Sequence, residues 1–238
     1  MSFLTAEWRR LAFANYKIDT KILEPYVPFG TELDLWQGDC FVSLIGFVFK
    51  NVKLKGIKIP FHVNFEEVNL RFYVRRNDNG VWKRGVVFIK EIVPLPALVF
   101  VANTIYREHY ESRKMSYDWI DDATQKVSKY QWLINKQWFT FEVTTEAALI
   151  PIAKDSETEF ITEHYWGYAG VNDKKTNEYE VTHPRWDQYL VKNFKIDVDF
   201  ETTYGKTFAF LNSRQPDSVF LAEGSAITIE GKNVIRKP

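Results

Sequence analysis

Apolar positions along this chain change their spacing several times, and those changes predict most of the elements. In the opening segment Leu4, Trp8, Leu11 and Ala12 fall at helical spacing with Thr5 placed to cap, which predicts a helix. In "DTKILEPYVP", Asp19 or Thr20 caps a short helix that Pro25 ends. "CFVSLIGFVF" is a nearly continuous apolar run, as expected of a strand covered on both faces. "VNLRFYVRR" and "VWKRGVVFIKEIV" flank "NDNG", where Asn and Gly accept the positive φ of a tight turn, so the stretch reads as a hairpin. "PLPALVFVANTIY" predicts a helix with Pro96 in its first turn and Leu98, Ala102 and Ile105 on one face; a strand is the alternative. "KVSKYQWLI", "QWFTFEV", "EFITEHYWGY", "KNFKIDVDFETTYG", "KTFAFL" and "SAITIEG" are read as further strands. There is no internal repeat and no linker-like tract. The expectation is one domain over residues 1–238, predominantly β (α+β), with a few helices packed against a large curved sheet or barrel.

The stretch "PFHVNFEEVNLRFYVRR" carries the most information. Phe61, Val63 and Phe65 alternate with His62, Asn64 and Glu66, and then the parity shifts to Val68, Leu70, Phe72 and Val74. A strand has a side-chain period of two, so one extra residue is needed to keep a single apolar face. A β-bulge at Glu66–Glu67 is therefore expected. The polar face then carries His62, Asn64, Glu67, Asn69, Arg71 and Tyr73. If that face points inward it lines a polar pocket, in which the Arg71 guanidinium can grip a carboxylate with two parallel hydrogen bonds. If it points outward, Glu67 and Arg71 form an ordinary solvated charge pair.

Composition narrows the classes. Hydrophobic residues make up 45% and aromatics 16%, ample for a packed core. Lys plus Arg and Asp plus Glu balance at 31 each, so no global field marks a nucleic-acid or anionic-membrane partner. "KLKGIKIP", with Lys53, Lys55 and Lys58, reads as a solvated turn. The single Cys40 sits in an apolar run and reads as a small buried hydrophobe in a reducing compartment. The longest apolar runs are strand-sized, and charges interrupt the first sixteen residues, so neither a membrane span nor a signal peptide is expected and a cytoplasmic protein is. No nucleophile elbow, phosphate loop or dinucleotide fingerprint occurs, and His62, His109, His164 and His183 show no metal-binding spacing, so neither cofactor nor metal is expected. His164, within "EHYWGY", is a candidate pocket residue.

"ANY", "YVPFGTELD", "VSLIGFVF", "IPFHVNFEEVNLRFYVR", "GVVFIKEIVP", "FITEHYWGY", "HPRW" and "VFLAEGS" resemble, in order and spacing, the YqjF-like proteins, domain of unknown function 2071. The resemblance spans almost the whole chain. It implies the acetoacetate-decarboxylase-like fold, a β-rich cone or barrel with surrounding helices and a central cavity. It supplies no reaction, because the family is uncharacterised. The superfamily link implies a second candidate. Arg107-Glu108 resembles the arginine–glutamate pair of acetoacetate decarboxylase, and Lys114 stands where that enzyme's Schiff-base lysine would follow. Arg113 and Met115 replace the flanking proline and second lysine of that pattern. An iminium on Lys114 would act as electron sink for decarboxylation. Three readings result. One is a cavity for a small carboxylate- or carbonyl-bearing organic molecule, held by Glu67, Asn69, Arg71, Tyr73, His62 and His164. The others are a Schiff-base decarboxylase or lyase on Lys114, and a protein-interaction module. A homo-oligomer is compatible with each.

Overall fold

The computed structural model describes residues 2–237. Its framework is one curved mixed sheet. In chain order the strands are β1 (Leu4–Ile18), β2 (Glu32–Leu33), β3 (Cys40–Leu54), β4 (Phe65–Asp78), β5 (Val81–Val93), β6 (Tyr110–Ser112) and β7 (Met115–Asp121). There follow β8 (Gln125–Ile134), β9 (Gln137–Pro151), β10 (Trp166–Asn172), β11 (Lys175–Thr182), β12 (Asp187–Asp197), β13 (Ser218–Ile229) and β14 (Asn233–Arg236). Four short helices accompany them: α1 (Thr20–Leu23), α2 (Pro96–Ile105), α3 (Glu157–Thr162) and α4 (Phe200–Tyr204). The path β11-β10-β5-β4-β3-β1-β13 returns on itself through a short ladder, Val181 opposite Ile229 and Thr182 opposite Thr228. β12, β9, β8 and β7 continue from β13 and fold back over the outside of this ring.

Two apolar cores result, one on each face of the ring. The outer core joins Ala14, Val42, Leu44, Leu70 and Phe72 to Tyr130, Trp132 and Phe141 of the folded-back strands. The inner core joins Leu11, Phe13, Ile45, Phe47, Tyr73 and Phe220. Strands β3 and β4 are thus covered on both sides, which accounts for the unbroken apolar run in β3.

Several expectations are corrected. The opening segment is strand β1, because a bulge lies within it. Arg10 has φ +55° and the β1–β3 register shifts between Arg9 and Ala12. Leu4, Ala6 and Trp8 face the inner core before the bulge, and Leu11 and Phe13 face it after. The broken alternation resembles helical spacing. The bulge expected at Glu66–Glu67 is absent, since β3 and β4 pair without a shift from Phe49–Phe65 to Val42–Phe72. β4 begins only at Phe65, and Phe61 lies in a loop at 93% exposure, so the change of parity there marks where the strand starts. Residues 157–162, 200–204 and 206–213 are helical rather than extended, capped by Ser156 and Asp199, whose side chains accept from Glu159 N and Thr202 N. β7 is a strand that the residue pattern did not predict. The helix expected at Pro96, the Asp19 cap and the Asn79-Gly80 hairpin turn stand as read.

The bulge in β1 leans on Gly224, which pairs with Arg9 at φ +81°. A Cβ there would stand 2.0 Å from the Trp8 carbonyl oxygen. Gly224→Ala should therefore cost about 2 kcal/mol or more in chemical denaturation. An unchanged midpoint would show that the bulge does not need glycine.

Candidate functional site

The inner face of the ring encloses a cavity of about 60 Å³. Bulges in β1 and β5 decide which side chains enter it, and a third, in β3, shapes the inner core beside it. In β1 the Arg10 bulge puts Trp8 and Leu11, an odd number apart, on the same wall. In β3, Asn51 at φ +55° marks a second shift, after which Val52 joins the inner core with Phe47 and Phe49. In β5 the register slips from Leu70–Lys90 to Arg71–Phe88, leaving Ile89 unpaired. Val86 and Phe88 face the cavity before that slip, and Glu91 faces it after. β4 keeps strict alternation, so Glu67, Asn69 and Arg71 line the cavity in a row.

The row is buried and only partly satisfied. Asn69 Nδ2 donates to Glu67 Oε1 at 2.9 Å, and the Tyr110 hydroxyl donates to Glu67 Oε2 at 3.3 Å. Tyr179 donates its hydroxyl to Glu108 Oε1 at 2.9 Å. Asn69 Oδ1, Arg71 Nε, Glu91 Oε2 and His164 Nδ1 are buried without a partner among the described residues. Buried polar atoms are normally bonded, so five orphans around one small space, Trp8 Nε1 being the fifth, set this cavity apart.

Burial drives the electrostatics. Loss of solvent raises the Glu67 carboxyl to about 7, against the opposing pull of Asn69, Tyr110 and the Arg71 charge. Glu108 is likewise raised to about 7 by burial, with the Glu67 charge adding to it. Glu91 is pushed well above the usual carboxylate range by burial and by repulsion from Glu108 and Glu67. These three acids therefore hold protons where ordinary carboxylates have lost them. His164 is lowered to about 4, chiefly by burial and also by the Arg84 and Arg71 charges. Neutral His164 must carry its proton on Nε2, because Nε2 lies 3.1 Å from the acceptor Asp34 Oδ2. Arg84 Nε donates to the same oxygen at 2.6 Å. His164 Nδ1 is left a bare acceptor.

The residues expected to form the site divide. Glu67, Asn69, Arg71 and His164 line the cavity together. Tyr73 lies behind them, its ring 4.7 Å from His164 and its hydroxyl 2.7 Å from Ser43 Oγ. His62 is not on this face; it sits in the loop before β4, 2.9 Å from the Pro60 carbonyl oxygen, and faces a different groove. Asn64 is likewise outside, accepting from Asn51 N. Lys114 is exposed between β6 and β7 with its Nζ 5.9 Å from the centre of the Trp138 ring. No lysine lines the cavity, so the geometry for an enclosed Schiff base is missing. Glu91, Tyr110, Tyr179 and His183 were not singled out as site residues. Glu91 left one signal, a lone acid inside the apolar run "FIKEIV".

Comparison with known proteins fits this architecture. Residues 5–226 match the model of DUF2071, described as "Uncharacterized conserved protein". The chain belongs to the DUF2071 family. Within reach of that family stands the uncharacterized protein YqjF of Bacillus subtilis, 27% identical over 198 residues, which cover 82% of this chain and 77% of YqjF. Acetoacetate decarboxylase from Legionella pneumophila has a similar structure, with TM-score 0.67 at 11% identity, over 98% of this chain and 86% of that one. The enduracididine biosynthesis enzyme MppR with HEPES bound gives 0.67 at 9% identity, over 99% and 89%. An acetoacetate-decarboxylase-like enzyme from Sphingomonas wittichii gives 0.62 at 10%, over 100% and 95%. At these identities the likeness is one of fold. This DUF2071 chain keeps that fold with a cavity free of lysine.

A carboxyl raised on folding keeps its proton after the unfolded chain has lost it. Stability therefore falls as pH rises from about 4.5 to about 7, by on the order of 1 kcal/mol per pH unit for each such group. His164 and His183, both lowered to about 4, act oppositely by destabilising the fold as pH drops below their unfolded range. The difference between wild type and Glu67→Gln isolates the acid. Relative to wild type, Glu67→Gln should gain stability steadily from pH 4.5 to 7 and then level off in urea denaturation. A pH-independent difference would contradict a protonated Glu67.

Proposed function

We propose that this protein binds a small organic molecule bearing a carboxylate, with a carbonyl or hydroxyl beside it, in the central cavity and without a covalent bond. One observation carries the reading. Arg71 reaches the cavity as a cation, yet no carboxylate of the described residues lies within 4.0 Å of it, and its Nε has no partner. A half-buried guanidinium without a counterion is costly, and a bound anion removes that cost. The neighbouring acids do not supply the charge while they hold their protons. Their elevation is self-consistent with an anion bound from outside, which would raise them further.

The rest of the lining suits such a ligand. Arg71 takes the carboxylate as a two-pronged donor, while His164 Nδ1 and Asn69 Oδ1 accept from a hydroxyl or enol. A protonated Glu91 donates to a carbonyl oxygen. About 60 Å³ holds several waters or the head of a small acid. One structural neighbour, MppR, has been solved in complex with pyruvate, an acid of this class. Should the protein catalyse a reaction, proton transfer by Glu67 or Glu91 is the chemistry its lining offers.

Calorimetric titration of acetate, pyruvate and acetoacetate tests the reading. Wild type should bind at least one of these acids, and Arg71→Leu should weaken that binding about thirtyfold or more, as expected for loss of one partner of a buried charge pair. Equal affinity in a folded Arg71→Leu protein would contradict it. A variant that unfolds would show Arg71 to be structural.

A further inference from the structure

Beside the polar cavity lies a second space of quite different character. It is a groove of about 270 Å³ under α2, walled mainly by apolar side chains that include Leu4, Val52, Phe65, Leu98 and Ala102. The two spaces share a wall. Phe49, Tyr110, Tyr179 and Ile229 line both, and Glu108, bonded to the Tyr179 hydroxyl, faces the groove. The polar cavity therefore ends where the apolar groove begins.

The shared wall is tied to the helix above it. Asn103, on α2, clamps the backbone of Tyr110 from both sides: its Nδ2 donates to Tyr110 O at 2.9 Å and its Oδ1 accepts from Tyr110 N at 2.8 Å. Tyr110 is thus tied to α2 on one side and, through its pairing opposite Glu91, to β5 on the other. The helix itself is lightly seated. None of its residues is buried, it has no side-chain N-cap, and Phe100 stands 72% exposed. An element with so little buried surface opens at low cost.

We propose, resting on the reading of Arg71 as the carboxylate anchor, that the groove under α2 holds the aliphatic tail of the same ligand. The substrate class is then carboxylic acids with a medium-length apolar chain: the head lies on Arg71, the chain passes the Tyr110–Tyr179 wall, and α2 closes over it. The groove supplies what the head site lacks, since a 60 Å³ cavity buries too little surface for tight binding. The apolar rim made by Ile59 and Val101 faces the entering chain.

Titration of wild type with acetate, butyrate, hexanoate and octanoate tests the inference directly. Each methylene buried in the groove should tighten binding about fourfold until the groove is full, so octanoate should exceed acetate by at least about a hundredfold. Two variants on α2 locate the effect. Ala102→Trp fills the groove and Val101→Asp charges its rim. Both should abolish the chain-length gain while acetate affinity stays at the wild-type level. Arg71→Leu should weaken every acid in the series. Octanoate binding no tighter than acetate would overturn the inference and leave the head site standing. A chain-length gain untouched by both folded α2 variants would overturn it as well. Failure of every acid to bind would remove the head site and the tail site together.

Discussion

A strand offers every second side chain to each of its faces, and the interior of this protein depends on that rule and on three of the places where it is broken. The ring of seven strands has one inner face, and a regular alternation would give that face whatever falls two residues apart. β4 obeys and delivers Glu67, Asn69 and Arg71 together. β1, β3 and β5 each spend one extra residue, at Arg10, Asn51 and Ile89, and so turn Trp8 and Leu11, Phe49 and Val52, and Phe88 and Glu91 onto common walls. The polar row of β4 meets Glu91 across the ladder, where Asn69 and Glu91 stand opposite each other.

Convergence of that kind creates an electrostatic imbalance. One guanidinium and two acids, Glu67 and Glu91, share a narrow buried space with Glu108 beyond the Tyr179 wall, and the burial that raises the acids keeps them from neutralising the guanidinium. The Asp34 carboxylate, in contrast, is engaged through Oδ2 by both Arg84 and His164, away from the cavity lining. The fold thus pairs its charges where the site is closed and leaves one unpaired where the site is hollow. The fold is similar to that of acetoacetate decarboxylase, while the residues that furnish the hollow here are this chain's own.

Much of this was legible from the residues. The continuous apolar run of β3, the Asn79-Gly80 turn and the polar alternation of β4 are local patterns, and they led to a predominantly β curved sheet and to Glu67, Asn69 and Arg71 on one face, while His164 stood out in "EHYWGY"; the four line one cavity. What escaped depends on structure at a distance. The Arg10 bulge disguised β1 as a helix because a single inserted residue turns a spacing of two into a spacing of three. His62 and Asn64 alternated correctly with their neighbours but lie in a loop, and alternation does not announce where a strand begins. The spacing of Lys114 from Arg107-Glu108 matched a lysine-based pattern, yet the chain carries it to the surface beside Trp138. Glu91 and Tyr110 meet across a parallel ladder between β5 and β6, a pairing that no local pattern reports.

The central claim is that Arg71 stands free to hold an external carboxylate. A crystal structure of the protein soaked with a bromine-substituted short-chain acid tests it most directly. The account predicts that the carboxylate sits on the Arg71 guanidinium, with the anomalous bromine signal toward the Tyr110–Tyr179 wall. Arg71 found paired with Glu67 or Glu91 in an empty cavity would contradict it.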